Sequence, residues 1–191
     1  MINKISTDYT GKPFYGTLQA IPGTIEAFTY DIAPNDQPEI TFHYSGKYST
    51  SSFRKGNDSM GIGSLDNSHL MTDGKKPNPP EGSYLGWTQD GEWAKYSVKV
   101  TATATYIVGG QFASAGKDSK ISLTFSPTLT TGAMDIPTTD GFQPETEVYH
   151  VWEKLDNMKE ITLPKGSYVM TLKLEKASGL NVKNITFTQK P

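Results

Sequence analysis

Residues 85–100 read LGWTQDGEWAKYSVKV, and the second half of that stretch decides the fold. From Trp93 to Val100, Ala94, Tyr96, Val98 and Val100 fall on one parity and Trp93, Lys95, Ser97 and Lys99 on the other. Side chains of a strand point alternately to its two faces, so this spacing predicts a half-buried strand. Similar segments follow downstream: Thr105 to Phe112, Lys120 to Phe125, and, after PTLTTG, a short apolar piece at Met134 to Ile136. Glu147 to Leu155 alternates, with Val151, Glu153 and Leu155 against His150, Trp152 and Lys154. Lys159 to Leu163 then leads into the turn Pro164, Lys165, Gly166. Ser167 to Leu174 puts Tyr168, Met170, Leu172 and Leu174 on one side. In the last strand Leu180 and Val182 share one parity and Ile185 and Phe187 the other, so a bulge is expected near Lys183 and Asn184. Upstream, Thr24 to Tyr30 and Glu39 to Tyr44 read as the first strands, separated by Pro34, Asn35 and Asp36. Helical periodicity shows only weakly, around Val151 to Met158. Nine or ten strands predict an all-β chain, a two-sheet β-sandwich of the jelly-roll kind.

Composition agrees with strands and sets limits. The chain has 191 residues, a length suited to one domain. Apolar residues are 35% and aromatics 11%, beside 23 Thr, 18 Gly and 12 Pro, a mixture of strand and turn formers. A net charge of -2 argues against nucleic acid as a partner, because neutralising phosphates needs a basic surface. No apolar run is long enough for a membrane span. The opening MINKISTDYTGKPF has no apolar signal region, so a secretory signal is expected to be absent or already removed. Zero cysteines exclude disulfides, thiolate metal sites and cysteine nucleophiles. Residues 1–20, polar and rich in Gly, Pro and Tyr, read as an N-terminal arm or linker, and 21–191 as the domain. Between Ser45 and Ser83 turn formers dominate, giving a long loop of the kind that is often functional or mobile.

Six segments in order resemble family 6 carbohydrate-binding modules, or the related family 35. They are IPGTIEA (Ile21 to Ala27) with Tyr30 and Asp31, LGWTQDGEWAKYSVKV, TYIVGGQFAS (Thr105 to Ser114), YHVWEKL (Tyr149 to Leu155), ITLPKGSYVMTLKL (Ile161 to Leu174) and LNVKNITF (Leu180 to Phe187). The resemblance spans roughly residues 21 to 188. It implies a jelly roll that acts as a non-catalytic, polysaccharide-binding accessory module of a glycan-degrading enzyme or surface protein. Its partners would then be a polysaccharide or oligosaccharide and a covalently linked catalytic domain or associated enzyme. Its place would be extracellular, periplasmic or at the cell surface. It also implies a loop cleft in which a sugar stacks between two aromatics and is fixed by an amide. Carried over residue by residue, the aromatics correspond to Phe53, next to Arg54, and Tyr149, and the amide to Asn181. Trp152 matches the second aromatic of Tyr149's segment, while Trp87, Glu92 and Trp93 match positions read as structural, Trp87 and Trp93 as part of the core. Phe142, in DGFQPETEV, is a further candidate platform.

These residue types suit sugars. A pyranose has a C–H face that flat rings cover at low conformational cost, and Asn offers a donor and an acceptor to hydroxyls. Each aromatic also has a plainer reading, as core or as an exposed strand residue, and Asn181 beside Gly179 could serve a turn. The family resemblance further implies a structural calcium. Glu26 is in place for it, but Phe28 stands at the second carboxylate position and Lys183 where an Asp would be. Calcium needs six to eight oxygens and is repelled by a cation, so no cofactor is expected and the usual calcium site is doubted.

Two other readings stay open: a polysaccharide-active hydrolase or lyase on a jelly roll, and a protein-interaction module without a sugar site. Paired carboxylates at a spacing that forces them onto one bond are absent from the sequence. Glu145 and Glu147 share a parity that a solvated face explains, and His43, His69 and His150 form no ligand motif. The chain is therefore expected not to be an enzyme.

Overall fold

The computed structural model describes residues 8–34, 39–45, 60–63, 82–139 and 150–191. Twelve strands are present among them, in two six-stranded sheets. The first sheet is built on the decisive strand, β6 (Trp93–Val100). One edge of β6 carries β1 (Gln19–Ile21), which is parallel to it, and β3 (Phe42–His43); the other carries β11 (Gly166–Lys176), followed by β8 (Ser119–Ser126) and β9 (Leu129–Ile136). In the second sheet the order is β10 (Glu153–Leu163), β7 (Ala104–Ser114), β12 (Leu180–Gln189), β5 (Tyr84–Leu85) and β4 (Ile62–Gly63). Strand β2 (Gly23–Glu26) also lies on β12, beyond β5 along the same edge.

The alternation read from the sequence decides which faces meet. Ala94, Tyr96, Val98 and Val100 are buried, as are Tyr168, Met170, Leu172 and Leu174 on β11. Opposite them lie Val108 and Phe112 of β7 and Val182, Ile185 and Phe187 of β12. Phe125 of the first sheet meets Phe187 of the second edge to face, with ring centroids 6.0 Å apart. This favourable ring geometry locks the two layers together. The bulge expected near Lys183 is present: the β12–β7 register shifts between Val182 and Asn184.

Several boundaries differ from the sequence reading. Thr24 to Tyr30 is not one strand, because after Glu26 the chain turns into a 3-10 segment, Ala27–Thr29. Pairing begins earlier, at Gln19. Of the expected strand Glu147 to Leu155, residues 147–149 lie outside the described residues; its end, Glu153 to Leu155, and Lys159 to Leu163 belong to one strand, β10, with a register shift between Leu155 and Lys159. That irregularity brings Leu155 and Met158, three residues apart, against the same core, and so explains the weak helical period in an extended segment. The piece around Met134 is the end of a full strand, β9.

A buried carboxylate ties the N-terminal segment down. Asp31 is fully buried and accepts from the Ser97 amide at 2.9 Å, the Ser97 hydroxyl at 2.5 Å and the Tyr9 hydroxyl at 2.8 Å. Burial first, and Asp31's charge second, push the Tyr9 hydroxyl's pKa far above its usual range. Lys12 exchanges backbone hydrogen bonds with Ile32, and Phe14 packs edge to face on Phe28.

Candidate functional site

The start of β12, the chain just before β10 and the loop after β5 converge at one end of the second sheet. Register places them there: Glu153 and Val182 both oppose Phe112, on either side of β7, so the residues preceding each come to the same level. Three links close the loop onto β12 and β4. Gly86 donates its amide to the Gly61 carbonyl at 2.9 Å, and the Thr88 hydroxyl donates to the Leu180 carbonyl at 2.5 Å. Gly86 lies against Asn181, where a Cβ would stand 2.9 Å from Asn181 Oδ1.

Between these anchors stands Trp87. Its φ is +53°, a left-handed conformation that a bulky residue rarely adopts, and its side chain is 40% exposed. Such strain costs on the order of 1–3 kcal/mol and persists where the surroundings impose it. Trp87 was expected in the core. The packing instead holds its backbone and presents its ring to solvent, beside Asn181's segment. The available sequence signal was that Trp87 lies in LGWTQDGE, a stretch that belongs to no alternating run.

Against the same Gly86, whose Cβ would also meet the Tyr84 ring at 2.9 Å, lies an aromatic stack. His150 is parallel to Trp152, at 5.7 Å and 8°, and Tyr84 closes against both, at 5.0 and 5.1 Å. Burial lowers the His150 pKa, favouring the neutral ring, while a side-chain interaction with Asn181 works in the opposite direction. Burial pushes the Tyr84 hydroxyl up to about 12. Trp152 is partly buried in this stack, between the core and surface readings, and its buried Nε1–H has no hydrogen-bond partner among the described residues.

Of the sugar-contact candidates, Asn181 lies in this cluster, whereas Phe53, Phe142 and Tyr149 fall outside the described residues. Trp93 is a further correction to the core reading. It lies on the outer face of β6 with His43 stacked at 6.3 Å and Lys95 Nζ over its ring at 4.7 Å. Glu92 is structural as expected, being buried and accepting from the Ser45 amide and hydroxyl at 2.9 and 3.1 Å.

Glu26, the carboxylate expected at a calcium site, lies cross-strand from Asn184. Burial raises its pKa, and the Lys183 charge and an Asn184 hydrogen bond oppose that shift. Phe28 is buried against Phe14, where a carboxylate would need oxygen or nitrogen partners. Among the described residues no three acidic or His side chains gather as a metal site. One carboxylate facing an ammonium and an aromatic does not fit a hard divalent cation. No helix among the described residues is long and apolar enough to cross a membrane.

With the geometry in hand, known proteins provide a comparison. The sequence model of the family described as Carbohydrate binding module (family 6) matches residues 64–189. No curated protein matches the chain. Among solved structures, a family 6 module from Clostridium stercorarium in complex with cellobiose superposes with a TM-score of 0.54 at 16% identity, covering 92% of this chain and 99% of that one. A β-1,3-glucan-binding family 6 module from Bacillus halodurans gives 0.53 at 22% identity, covering 90% and 98%. A family 6 module from Clostridium cellulolyticum in complex with xylose gives 0.52 at 16%, covering 90% and 100%. At these identities the superpositions establish the shared β-sandwich jelly roll.

Proposed function

The chain belongs to the family 6 carbohydrate-binding modules, and on that premise we propose that it holds a polysaccharide at the end of the sandwich where Trp87 and Asn181 come together. The observation that carries this reading is Trp87: an exposed indole on a left-handed backbone, anchored through Gly86 and Thr88 to the segment bearing Asn181. A ring kept at a conformational cost, beside an amide, suits the C–H face and hydroxyl belt of a sugar. Non-catalytic binding is part of the proposal. The chemistry would belong to a linked or associated glycan-degrading enzyme, and the working location would be outside the cytoplasm.

Calcium has no part in this reading. Lys183 supplies beside Glu26 the positive charge that a metal would otherwise bring, which is supported by its effect on that carboxyl.

The test is a screen of the chain against soluble and insoluble β-glucans, xylans and galactans, following retention, Trp fluorescence and reducing-sugar release. Binding with no sugar released is the expected result. Release of reducing sugar would favour the enzyme reading, and the absence of both would favour an interaction module.

A further inference from the structure

Two glycines of the loop after β5 are there for opposite reasons. Gly91 has φ +84° and, beyond its chain neighbours, no atom within 4 Å of where a Cβ would stand, so its backbone conformation is what calls for glycine. Gly86 is not in the left-handed region, and its φ is open to other residues. What it lacks is room: a Cβ would stand 2.9 Å from Asn181 Oδ1 and 2.9 Å from Tyr84 Cε2. These two neighbours are not equally free to move. The Tyr84 ring occupies the place that a Cβ of Gly63 would take, and His150 and Trp152 close on it at 5.0 and 5.1 Å. Asn181 ends in an amide on a side chain that can rotate. A methyl group at Gly86 would therefore leave the ring where it is and drive the amide away.

We propose that Gly86 is the positioning residue of the sugar site: lacking a Cβ, it lets the Asn181 amide settle in the angle between its own Cα and the Tyr84 ring, and so fixes that amide beside Trp87, the next residue in the chain. Trp87 is held by the same backbone, since the Gly86 amide donates to the Gly61 carbonyl at 2.9 Å and a Cβ on Gly61 would stand 3.2 Å from Trp87 Cε3. Amide and indole thus share one support. An amide fixed before binding spares a ligand the cost of ordering it, which is where pre-organisation acts on affinity. The inference rests on the glycan reading above for its consequence on binding. The seating of the amide on Gly86 needs no ligand.

The test therefore has one arm without sugar and one with it. In the unliganded full chain, NMR relaxation of the Asn181 Nδ2–H2 group should give an order parameter near that of rigid backbone, about 0.85. In Gly86→Ala it should fall below about 0.6, while the Tyr84 ring resonances stay in place and Tm drops by about 2–12 °C. A wild-type value below about 0.6 would overturn the assignment, even if Gly86→Ala failed to fold. In the second arm, laminarin, cellotetraose and soluble xylan are titrated into wild type, Gly86→Ala, Asn181→Ala and the double variant. For whichever probe binds, each single variant should weaken affinity about tenfold. The double variant should stay within about threefold of Asn181→Ala, because the added methyl group then has no amide to displace. A residue that served only the fold would lose affinity independently of Asn181, so losses that multiply to about a hundredfold would overturn the proposal, as would unchanged affinity in Gly86→Ala. Wild-type protein that binds none of the three probes would count against the glycan reading alone, because the relaxation data decide the role of Gly86 independently.

Discussion

Replacing Trp87 separates a binding role from a packing role, because the two predict opposite effects on stability. A Trp side chain presents about 150–250 Å². With 40% exposed, about 60–100 Å² is open to a ligand, and a stacked sugar would cover most of it. At about 25 cal/mol/Å² that contact contributes roughly 1.5–2.5 kcal/mol, so Trp87→Ala is expected to weaken glycan affinity about 10- to 60-fold. Stability should respond differently. At φ +53°, Gly relieves a backbone strain that Trp bears, so Trp87→Gly is expected to leave Tm unchanged or raise it by a few degrees while binding is lost. Isothermal titration with a glycan that wild type binds, and a thermal melt of the same samples, read out both effects. Unchanged affinity in Trp87→Ala would refute the reasoning, and so would a Tm drop of about 10 °C in Trp87→Gly, the mark of a core residue.

Tyr9→Phe removes a hydrogen bond to a buried carboxylate and is expected to cost about 2 kcal/mol, lowering Tm by about 4–8 °C. The pH dependence has a definite sign. The folded-state pKa of Tyr9 lies above the ordinary 10, and that of Tyr84 is raised to about 12, so their contribution is complete below pH 10 and is lost as pH rises beyond it. Urea melts should show stability falling above that pH, less steeply in Tyr9→Phe; parallel curves would contradict the assignment. EDTA should leave Tm unchanged to within about 1 °C, and a loss of many degrees on chelation, recovered with calcium, would show that a metal site exists despite Lys183. Tyr149→Ala, argued from sequence alone, is expected to abolish retention on a polysaccharide gel without lowering Tm; retention equal to that of the parent would remove Tyr149 from the site.

Legibility in the sequence followed the strength of local constraint. Strands β6 and β11 were readable because one face of each is buried and the other is not, so period two is written into Ala94–Val100 and Tyr168–Leu174. β1, β4 and β5 were not separately readable, and of the expected strand Glu39 to Tyr44 only Phe42–His43 pairs, as β3. They are two or three residues long, and their pairing with β6, β12 or each other is decided by distant chain. The site was legible by a different route. Asn181 was reached through the resemblance of LNVKNITF to the family's last segment, whereas Trp87, matching a position read as structural, was assigned to the core. Its exposure follows from the Gly86 and Thr88 anchors, which involve Gly61 and Leu180, far away in sequence. His150 was visible as a residue but not as a neighbour of the Asn181 segment, since nothing in a sequence brings positions 150 and 181 to the same level on either side of β7.

The bulge in β12 connects the proposed sugar site to the charge pair at Glu26. Leu180 and Val182 point inward before it, and Ile185 and Phe187 after it. Were the strand strictly alternating with Val182 inside, Asn184 would enter the core and Ile185 and Phe187 would leave it. With Ile185 inside instead, Asn181 and Lys183 would be buried. Either arrangement buries an amide without its present partners, at a cost of about 1–3 kcal/mol or more, and one of them buries an ammonium as well. The extra residue avoids both outcomes. It leaves Asn181 beside Gly86 and His150, puts Asn184 across from Glu26, and keeps Lys183 off the core, where its charge acts on that carboxyl. One register shift between Val182 and Asn184 therefore sets both the amide of the proposed glycan site and the cation standing where a metal would be expected, and a change to the bulge should disturb the two together.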